Sequence, residues 1–529
     1  MPFIKNPQAK LLQLTPSDWF TLDMGYQGVH GFGGIGTGKT SGLGKMLAGA
    51  YLRAGAGGLV TAVKPDEIPL WQHHCAVHGR SPSLVLFDEN EGFNFLSYEL
   101  GRQGINGIGT VTECLMRVLE AAKRASGTAT QKPGEAFWED ASRMTLRYTV
   151  TPLYAANGVV SIPEILRFIT TAPTNPTDPT SAEWQKRSFM YEVMDRAVRN
   201  PRVQVPRQTM KDCLDFWAEK YPNQDARTRS NVVMTVTATL DRFNHGRLRQ
   251  CFCEKTTIVP ELSFHGAVIL LAMPTLLWNE DGVIAQSVFK FMWQRAILGR
   301  NSLEEKHRER PLFLWSDESQ ETVSAYDGEF LGLCRQSKCC VTFMTQTLPN
   351  YFSKIGGDNP RDAAYALVDK FGTHVFFSNS CNETNEYASK KIGRVITKRA
   401  NYNAGTSKNV NFGMSAGESE NSGSSSNYGS SSSRSYGMGP SSNHGGSSSW
   451  GSSSGRGNNW GSNKGEGRGE TESRGYSESM EYLYEPGDFA RILKTGGPRN
   501  NCIVTGVWFK HGHIFNATGT NVLLETFQQ

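Results

Sequence analysis

Eight consecutive residues near the start of the chain have the spacing of a phosphate-binding loop. Residues 33–40 read Gly-Gly-Ile-Gly-Thr-Gly-Lys-Thr and satisfy the pattern G-x-x-x-x-G-K-[ST]. Glycines let the backbone curl so that successive N–H groups point at phosphate oxygens, and the following helix adds its positive end. We therefore predict a nucleotide site lined by Gly33, Gly34, Gly36, Thr37, Gly38, Lys39, Thr40 and Ser41.

Two side chains of this loop carry charge or coordinate metal in such a site. Lys39 is expected to reach the β- and γ-phosphates, and the hydroxyl of Thr40 is a ligand for Mg²⁺. The predicted cofactors are therefore ATP and Mg²⁺.

A pair of acids follows a strongly apolar run later in the chain. Residues 312–318 read Leu-Phe-Leu-Trp-Ser-Asp-Glu, which is typical of a buried strand that ends in carboxylates. An acid at the end of such a strand holds Mg²⁺, a role that fits Asp317. A neighbouring acid polarises the attacking water, and Glu318 fits that second role.

Two further residues have side chains suited to phosphoryl transfer. Gln346 follows an apolar run at 340–344, where a polar side chain is well placed to sense the γ-phosphate. Arg335 precedes that run and is a candidate arginine finger, offered to the nucleotide of a neighbouring subunit. A charge on the surface of a helix is the alternative interpretation of Arg335.

The chemistry needs a sheet that brings these loops together. Residues 26–64 read as strand, glycine-rich turn, helix and strand, and further apolar runs of strand length lie at 84–87, 267–273, 312–315, 340–344 and 374–377. Strands that alternate with helical stretches indicate a parallel α/β sheet. We predict that residues 1–110 and 256–402 form the two parts of one α/β domain.

Residues 111–255 differ in pattern from the flanking regions. Long helical patterns separated by proline-rich turns predict an all-helical domain inserted into the α/β domain. This region carries a basic run, which fits either a solvated helix face or a phosphate-contacting surface: Arg196, Arg199, Arg202, Arg207 and Lys211.

Residues 403–476 are a Ser/Gly/Asn-rich insertion with few aliphatic side chains. Such a composition cannot bury enough apolar area to offset the entropy of ordering, so we predict a long disordered segment. It is either a spacer or, through its scattered Tyr and Trp residues, a surface that stacks on nucleic-acid bases. Residues 477–529 are predicted to return to the ATPase domain, with a short helix at 486–493 and a terminal hairpin made of 502–509 and 512–516.

Bulk composition places few limits on the function. A formal net charge of +5 allows a polyanionic partner without requiring one, and the ten cysteines match no zinc or disulfide framework, which favours a reducing, cytoplasmic compartment. The longest strongly apolar stretch, 267–278, contains Pro274 and falls short of the ~18 residues that a spanning helix needs. We therefore expect contact with a membrane only through a partner.

The order of these motifs resembles the FtsK/HerA branch of RecA-like motor ATPases. Three further stretches are similar to motifs of type IV secretion coupling proteins of the TraG/TraD kind. Residues 137–141 read Phe-Trp-Glu-Asp-Ala, residues 87–96 resemble an FDP…FNPL turn with Glu89 in place of the proline, and residues 382–393 resemble an ETxxY…IG helix. The resemblance covers the chain from about residue 23 onward.

The resemblance implies a homo-hexamer around a channel, in which ATP hydrolysis moves DNA, most commonly single-stranded and bound to a relaxase, towards a type IV secretion channel. The positions that match are Lys39, Thr40, Asp317, Glu318, Arg335 and Gln346. Members of this family usually begin with transmembrane helices, which this chain lacks, so the resemblance implies attachment at the inner face of the cell membrane through a partner. Ala62 stands where the family's DPKG turn has its acid, and no role is assigned to that turn.

Two other functions fit the same motifs. The first is a motor for protein secretion or pilus assembly that does not pump DNA, and the second is a docking module in which ATP binding is structural. Glu318 disfavours the docking module, because a structural site has no use for a water-polarising acid. The basic runs at 196–211 and 390–399 favour DNA.

Overall fold

The computed structural model describes residues 2–126, 135–356, 359–412, 422–430, 446–454 and 464–529, and the side chains of all these except 135–136 and 400–477. Its fifteen strands are β1 Lys10–Gln13, β2 Trp19–Thr21, β3 Val29–Phe32, β4 Gly57–Thr61, β5 Leu84–Phe87, β6 Val268–Leu271, β7 Leu312–Ser316, β8 Cys339–Thr345, β9 Thr373–Phe376, β10 Arg394–Phe412, β11 Ser422–Ser430, β12 Gly446–Ser454, β13 Lys464–Tyr482, β14 Ile503–Lys510 and β15 Val522–Gln528.

A nine-stranded sheet forms the centre of the fold, with the strand order β15-β14-β9-β3-β8-β7-β4-β6-β5. Every strand pair from β9 to β5 is parallel, and β14 is antiparallel to both of its neighbours. The inner strands are buried along their whole length, which explains why they read as continuous apolar runs. The predicted parallel α/β fold is confirmed.

Helices cover the sheet, and the described chain between β5 and β6 is helical and shares one hydrophobic core with the sheet. The helices are α1 Leu22–Tyr26, α2 Lys45–Arg53, α3 Glu67–Val77, α4 Phe95–Gln103, α5 Gly107–Ala125, α6 Glu135–Asn157, α7 Ile162–Thr170, α8 Ala182–Arg187, α9 Phe189–Arg199, α10 Arg207–Asp215, α11 Ala226–Leu240, α12 Gly246–Arg249, α13 Thr275–Gly299, α14 Glu305–Arg308, α15 Ala325–Leu333, α16 Leu348–Lys354, α17 Pro360–Val368, α18 Asn382–Ile392 and α19 Asp488–Arg491. None of the described helices is long and apolar enough to cross a membrane.

The longest helix of the sheet region, α13, shows how burial selects its residues. One stripe of apolar positions recurs at helical spacing and is buried, whereas Leu276 and Leu277 at the beginning of the helix remain exposed. Burying one such large side chain stabilises the fold by about 1.5–3 kcal/mol. The buried stripe consists of Ala285, Val288, Phe289, Met292, Trp293 and Ala296.

The strand before the phosphate-binding loop begins later than the sequence predicts. Residues 22–26 form helix α1, in which the side chain of Thr21 accepts a hydrogen bond from the Met24 N–H at 3.4 Å. The negative charge of Asp23 in the first turn stabilises the helix, because it lies near the positive N-terminal end. Gly28, at φ +78°, then turns the chain into β3.

The C-terminal hairpin also differs from its prediction. Strand β14 pairs with β15 at 522–528, and residues 512–516 lie in the connection between the two strands. Within that connection, the N–H of Gly519 and the N–H of Thr518 both donate to the carbonyl of Phe515, which makes a turn rather than a strand. Strands β14 and β15 lie at one edge of the central sheet, and the second strand of the predicted hairpin was placed too early.

The Ser/Gly-rich insertion belongs to a second compact unit, residues 395–481, while residues 1–394 and 482–529 form the first. In its described parts the backbone of β10 pairs with β13, and β11 pairs with β12 in an antiparallel direction. The rest of the insertion lies outside the described residues, so its predicted disorder stays a prediction. In the first unit, the N–H of Leu483 donates to the carbonyl of Gly393 at 3.2 Å.

Candidate nucleotide-binding and hydrolysis site

The phosphate-binding loop connects the end of β3 to a helix that begins with a five-residue π-helical turn, Thr40–Gly44, and continues as α2. Its first two glycines anchor it to the sheet. The Gly33 N–H donates to Thr345 O at 3.3 Å and the Gly34 N–H donates to Ser378 O at 2.9 Å. These N–H groups therefore fix the loop to the sheet. Backbone contact with phosphate is left to the N–H groups of residues 35–40.

Two later glycines have backbone conformations that other residues rarely adopt. Gly36 has φ +70° and open space where a Cβ would be, which leaves room for a ligand to approach the backbone. Gly38 has φ +83°, and a Cβ there would lie 2.3 Å from Cγ2 of Val504 on β14. The C-terminal hairpin thus packs directly against the loop.

This difference predicts unequal effects of two alanine substitutions. Gly36→Ala adds only the strain of a positive φ, about 1–2 kcal/mol. Gly38→Ala adds the same strain and the collision with Val504, about 1–3 kcal/mol more. We expect Gly38→Ala to lower the melting temperature in thermal unfolding by clearly more than Gly36→Ala, and equal melting temperatures would contradict the packing described here.

Lys39 is a buried cation at the centre of the loop. Its Nζ donates to the carbonyls of Gly33 at 2.5 Å and Gly34 at 3.1 Å. Burial lowers its pKa below the ordinary value, and the negative charges of Asp317 and Glu318 offset this only in part. A desolvated ammonium with two neutral partners is well suited to accept phosphate oxygens as additional partners.

Thr40 and Asp317 meet at the predicted metal position. The Thr40 hydroxyl donates to Asp317 Oδ2 at 2.5 Å, although the two residues are far apart in the sequence. Asp317 is only 3% exposed, and burial raises its pKa despite the hydrogen bond from Thr40. A buried carboxylate beside a hydroxyl is a hard oxygen set that a divalent cation would stabilise, so these residues fit Mg²⁺.

Glu318 occupies a strained turn directly after β7. Its backbone lies in the left-handed region at φ 53°, which costs a non-glycine residue of order 1–3 kcal/mol and recurs at functional sites. Its Oε1 accepts hydrogen bonds from Lys64 Nζ at 3.1 Å and Gln346 Nε2 at 3.0 Å, and its Oε2 accepts one from Gln320 Nε2 at 3.0 Å.

These contacts also set the charge of the carboxylate. Burial alone would raise the pKa of Glu318, but the hydrogen bonds from Gln320 and Gln346 and the charges of Lys64 and Lys39 outweigh it. The pKa is therefore lowered, and Glu318 stays ionised next to the metal position. An ionised carboxylate can orient and polarise a water molecule.

The segment after β8 is held in place by helix α18. Asn379 Nδ2 donates to the carbonyl of Gln346 at 2.7 Å, and Asn385 Nδ2 donates to the carbonyl of Asn379 at 2.8 Å. The Thr384 hydroxyl accepts a hydrogen bond from the Leu348 N–H at 2.9 Å. The late sequence motif at 382–393 therefore supports Gln346 and through it Glu318.

Arg335 lies at the opposite edge of the sheet from the phosphate-binding loop. Arg335 precedes β8, whereas Gln346 follows that strand. At about 3.3 Å per residue, the seven-residue strand separates the two residues by roughly 20 Å. The guanidinium pairs with Asp23 at 3.1 Å, and the Arg335 side chain is 61% exposed. Arg335 therefore does not reach the site of its own chain.

Ser41 and Gln529 border a cavity beside the phosphate-binding loop. Gln529 Nε2 donates to the Ser41 hydroxyl at 2.8 Å, and Thr37 Oγ1 donates to the carbonyl of Gly34 at 2.8 Å. The cavity has a volume of about 480 Å³. It is lined by Gly36, Gly38, Lys39, Thr40, Ser41, Lys45, Leu70, His73, His74 and Gln529.

The structure adds two residues to the site that sequence reasoning missed. Lys64 and Gln320 both contact Glu318. Gln320 lies two residues beyond Glu318, so its proximity was a usable signal. Lys64 follows β4, and its contact depends on the parallel pairing of β4 with β7, which brings the ends of the two strands together and has no signal in the sequence.

The parallel sheet, with a phosphate-binding loop after β3 and paired acids after β7, defines a RecA-like P-loop fold. Neither a protein-family model nor a curated protein sequence matches the chain. Solved structures do. The bacterial conjugative coupling protein TrwBdeltaN70, in its unbound monoclinic form, superposes with a TM-score of 0.55 at 14% identity, over 99% of this chain and 90% of that one.

Two further solved structures are similar over about three quarters of the chain. Plasmid coupling protein TrwB in complex with ADP and Mg²⁺ has a TM-score of 0.47 at 16% identity, covering 74% of this chain and 80% of that one. VirB4 of Thermoanaerobacter pseudethanolicus has a TM-score of 0.42 at 12% identity, covering 73% and 88%. At these identities the first match, TrwBdeltaN70, shows the shared fold.

Proposed function

We propose that this protein is an ATPase that drives DNA, or a nucleoprotein substrate, towards a type IV secretion or conjugation channel. The observation that carries the ATPase part is the assembly of one site from distant segments. The Thr40 hydroxyl donates to Asp317 Oδ2 at 2.5 Å. Lys39 precedes Thr40 in the loop, and the ionised Glu318 directly follows Asp317. This set supports binding of ATP with Mg²⁺ and hydrolysis by an oriented water.

In the proposed reaction each side chain has one task. Lys39 would bind the phosphates, and Thr40 and Asp317 would hold Mg²⁺, which neutralises charge on the phosphates when bound. Glu318 would orient the attacking water and accept its proton at a carboxylate oxygen. Gln346 touches Glu318 and would sense the state of the γ-phosphate from the end of β8.

The substrate part of the proposal rests on the fold shared with a conjugative coupling protein. The basic run of the helical region gives it limited support. Arg196 and Arg199 form ion pairs with Glu192 at 3.2 Å and Asp195 at 2.7 Å on their own helix. Both pairs are partly exposed and are worth little in stability, so a phosphate could compete for these arginines.

The proposed partners follow from the same fold. We propose a homo-hexamer acting on DNA, with a relaxase on the substrate and channel components at the inner face of the cell membrane. The protein itself would be cytoplasmic and would reach the membrane through one of those components.

The deciding experiment is steady-state ATPase activity of the purified protein without DNA, with single-stranded DNA and with duplex DNA, at low and moderate salt. Stimulation by DNA that fades as salt rises would support the proposal, because phosphate contacts release counterions. ATPase activity that neither form of DNA changes would replace the DNA pump by a motor for protein secretion or assembly. Absence of any ATPase activity would reject the enzyme.

The position of Arg335 predicts an effect that depends on a neighbouring subunit. Arg335→Ala should leave the melting temperature nearly unchanged, because an exposed ion pair contributes only about 0–1 kcal/mol. If Arg335 is a finger for the next subunit, turnover should fall by roughly 10³-fold. Asp23→Ala, which breaks the same ion pair but keeps the arginine, should retain turnover within a few fold.

Mixing two inactive variants tests the same prediction more strictly. Arg335→Ala subunits keep their phosphate-binding loop, and Lys39→Ala subunits keep their arginine. Mixed oligomers should therefore regain ATPase activity that neither variant shows alone. Failure of the mixture to recover activity, in oligomers shown to contain both variants, would contradict a finger acting between subunits.

A further inference from the structure

The turn after β4 directs a lysine at the water-polarising acid. Lys64 Nζ lies 3.1 Å from Glu318 Oε1, and the Glu318 side chain is 7% exposed. Burial works against the Lys64 charge, but Glu318 outweighs it and the pKa of Lys64 is raised. The pair is therefore an ion pair between a half-exposed cation and a buried carboxylate.

Two buried side chains fix the backbone that carries Lys64. Gln286 on α13 accepts from the Ala62 N–H at 3.0 Å and donates to the Ala62 carbonyl at 2.6 Å. The carboxyl of Glu67 accepts from the N–H groups of Val63 at 3.2 Å and Lys64 at 3.3 Å. The turn is held at both ends, so the lysine extends from a rigid base.

The Glu67 carboxyl is itself unusual. Burial, followed by the nearby charge of Asp317, raises its pKa to about 8. A carboxyl that is largely neutral at pH 7 holds the turn without adding another negative charge beside the metal position. The turn can therefore present a single positive charge to Glu318.

We propose that Lys64 is a positioning residue that holds the Glu318 carboxylate in the orientation needed to align the attacking water. The inference rests on the proposed ATPase function and adds a residue to it. Of the three donors to Glu318, Lys64 is the only charged one among the described residues, and charge-assisted hydrogen bonds are the strongest. Gln320 donates to Oε2, and Gln346 shares Oε1 with Lys64, so loss of Lys64 would leave Oε1 with a single neutral donor.

Geometry rather than stability is what this contact provides. With 41% of the Lys64 side chain exposed, the ion pair contributes little to the free energy of unfolding. A displacement of about 1 Å at a reacting group can nevertheless cost 10²-fold in rate. Loss of Lys64 should therefore reduce turnover while nucleotide binding, which depends on the loop at 33–40, is retained.

The test compares kcat and KM for ATP in three variants. Lys64→Ala should lower kcat by about 10- to 100-fold and leave KM within about threefold. Lys64→Arg keeps a cation of similar reach and should recover most of the activity. Lys306→Ala is the matched control, since Lys306 is exposed and pairs at 2.7 Å with Glu304 away from the site, and it should match the wild type.

A second comparison separates positioning from a general structural effect. In a Glu318→Gln background, Lys64→Ala should cause no further loss of single-turnover hydrolysis, because the lysine acts through Glu318. The inference would be overturned if Lys64→Ala left kcat unchanged, raised kcat, or raised KM with a normal kcat. In each of these cases an active wild type would leave the ATPase proposal intact. A wild type without ATPase activity would reject the proposed function itself.

Discussion

Replacing Lys39 by alanine is expected to abolish detectable nucleotide binding while leaving the protein folded. The ammonium is desolvated, with a pKa below the ordinary value, and its partners among the described residues are two loop carbonyls. Each charged hydrogen bond to phosphate contributes about 1.5–3 kcal/mol, so two of them correspond to a loss of roughly 10²- to 10⁴-fold in affinity. Calorimetric titration with ATP and Mg²⁺ measures that loss directly.

Thermal unfolding gives an independent measurement of the same effect. Bound nucleotide raises the melting temperature of the wild type in proportion to the logarithm of its concentration over Kd, and Lys39→Ala should show no such rise. Without nucleotide, the variant should melt no lower than the wild type, because removing a cation whose pKa is lowered by burial also removes its desolvation cost.

Lys45 provides the matched control for Lys39. It is an exposed lysine that lines the same cavity, six residues after Lys39 at the beginning of α2. Lys45→Ala should change Kd by less than about threefold, because an exposed charge is screened by solvent. Equal losses in the two variants would mean that general positive charge, rather than the loop lysine, binds the phosphates.

The central parts of the site could be predicted from the sequence because each is a local pattern. The loop at 33–40 and the acids at 317 and 318 are contiguous segments whose chemistry follows from residue type and spacing. Their meeting follows from the parallel sheet, since the carboxyl ends of parallel strands share one edge. The contact between Thr40 and Asp317 is the direct result.

Lys64 could not be predicted in the same way. Its contact with Glu318 depends on β4 lying next to β7, and no local pattern gives the order of strands in a sheet. The backbone of its turn is fixed by Gln286, from a helix more than 200 residues later in the chain. Comparison with the DPKG turn drew attention to Ala62, whereas the contact with Glu318 is made by Lys64, two residues further on.

The two incorrect boundaries have a common physical cause. Tyr26, at the start of the first predicted strand, and Ile514 and Phe515, in the second, are large apolar or aromatic residues. Such content alone does not distinguish a strand from the end of a short capped helix or a turn. At residues 22–26, the Thr21 cap and the acidic first turn favour a helix. At 512–516, a turn bonded to the carbonyl of Phe515 delays the second strand until residue 522.

Glu318→Gln is expected to bind ATP with near-normal affinity and to stop hydrolysing it. The substitution keeps the size of the side chain and removes the negative charge that would accept a proton from water. General-base assistance of this kind contributes about 10²- to 10⁴-fold, so kcat should fall by that factor. Phosphate release under single-turnover conditions, measured beside ATP binding in the same preparation, checks both parts of the expectation.

Asp317→Asn is the control that separates the two acids. Both substitutions replace a carboxylate by an amide at neighbouring buried positions, but Asp317 contacts the Thr40 hydroxyl and Glu318 contacts Lys64, Gln320 and Gln346. Asp317→Asn should therefore lose the dependence of nucleotide binding on Mg²⁺, and Glu318→Gln should retain it. Wild-type turnover in Glu318→Gln would show that another group activates the water, and it would also remove the basis for assigning Lys64 to that acid.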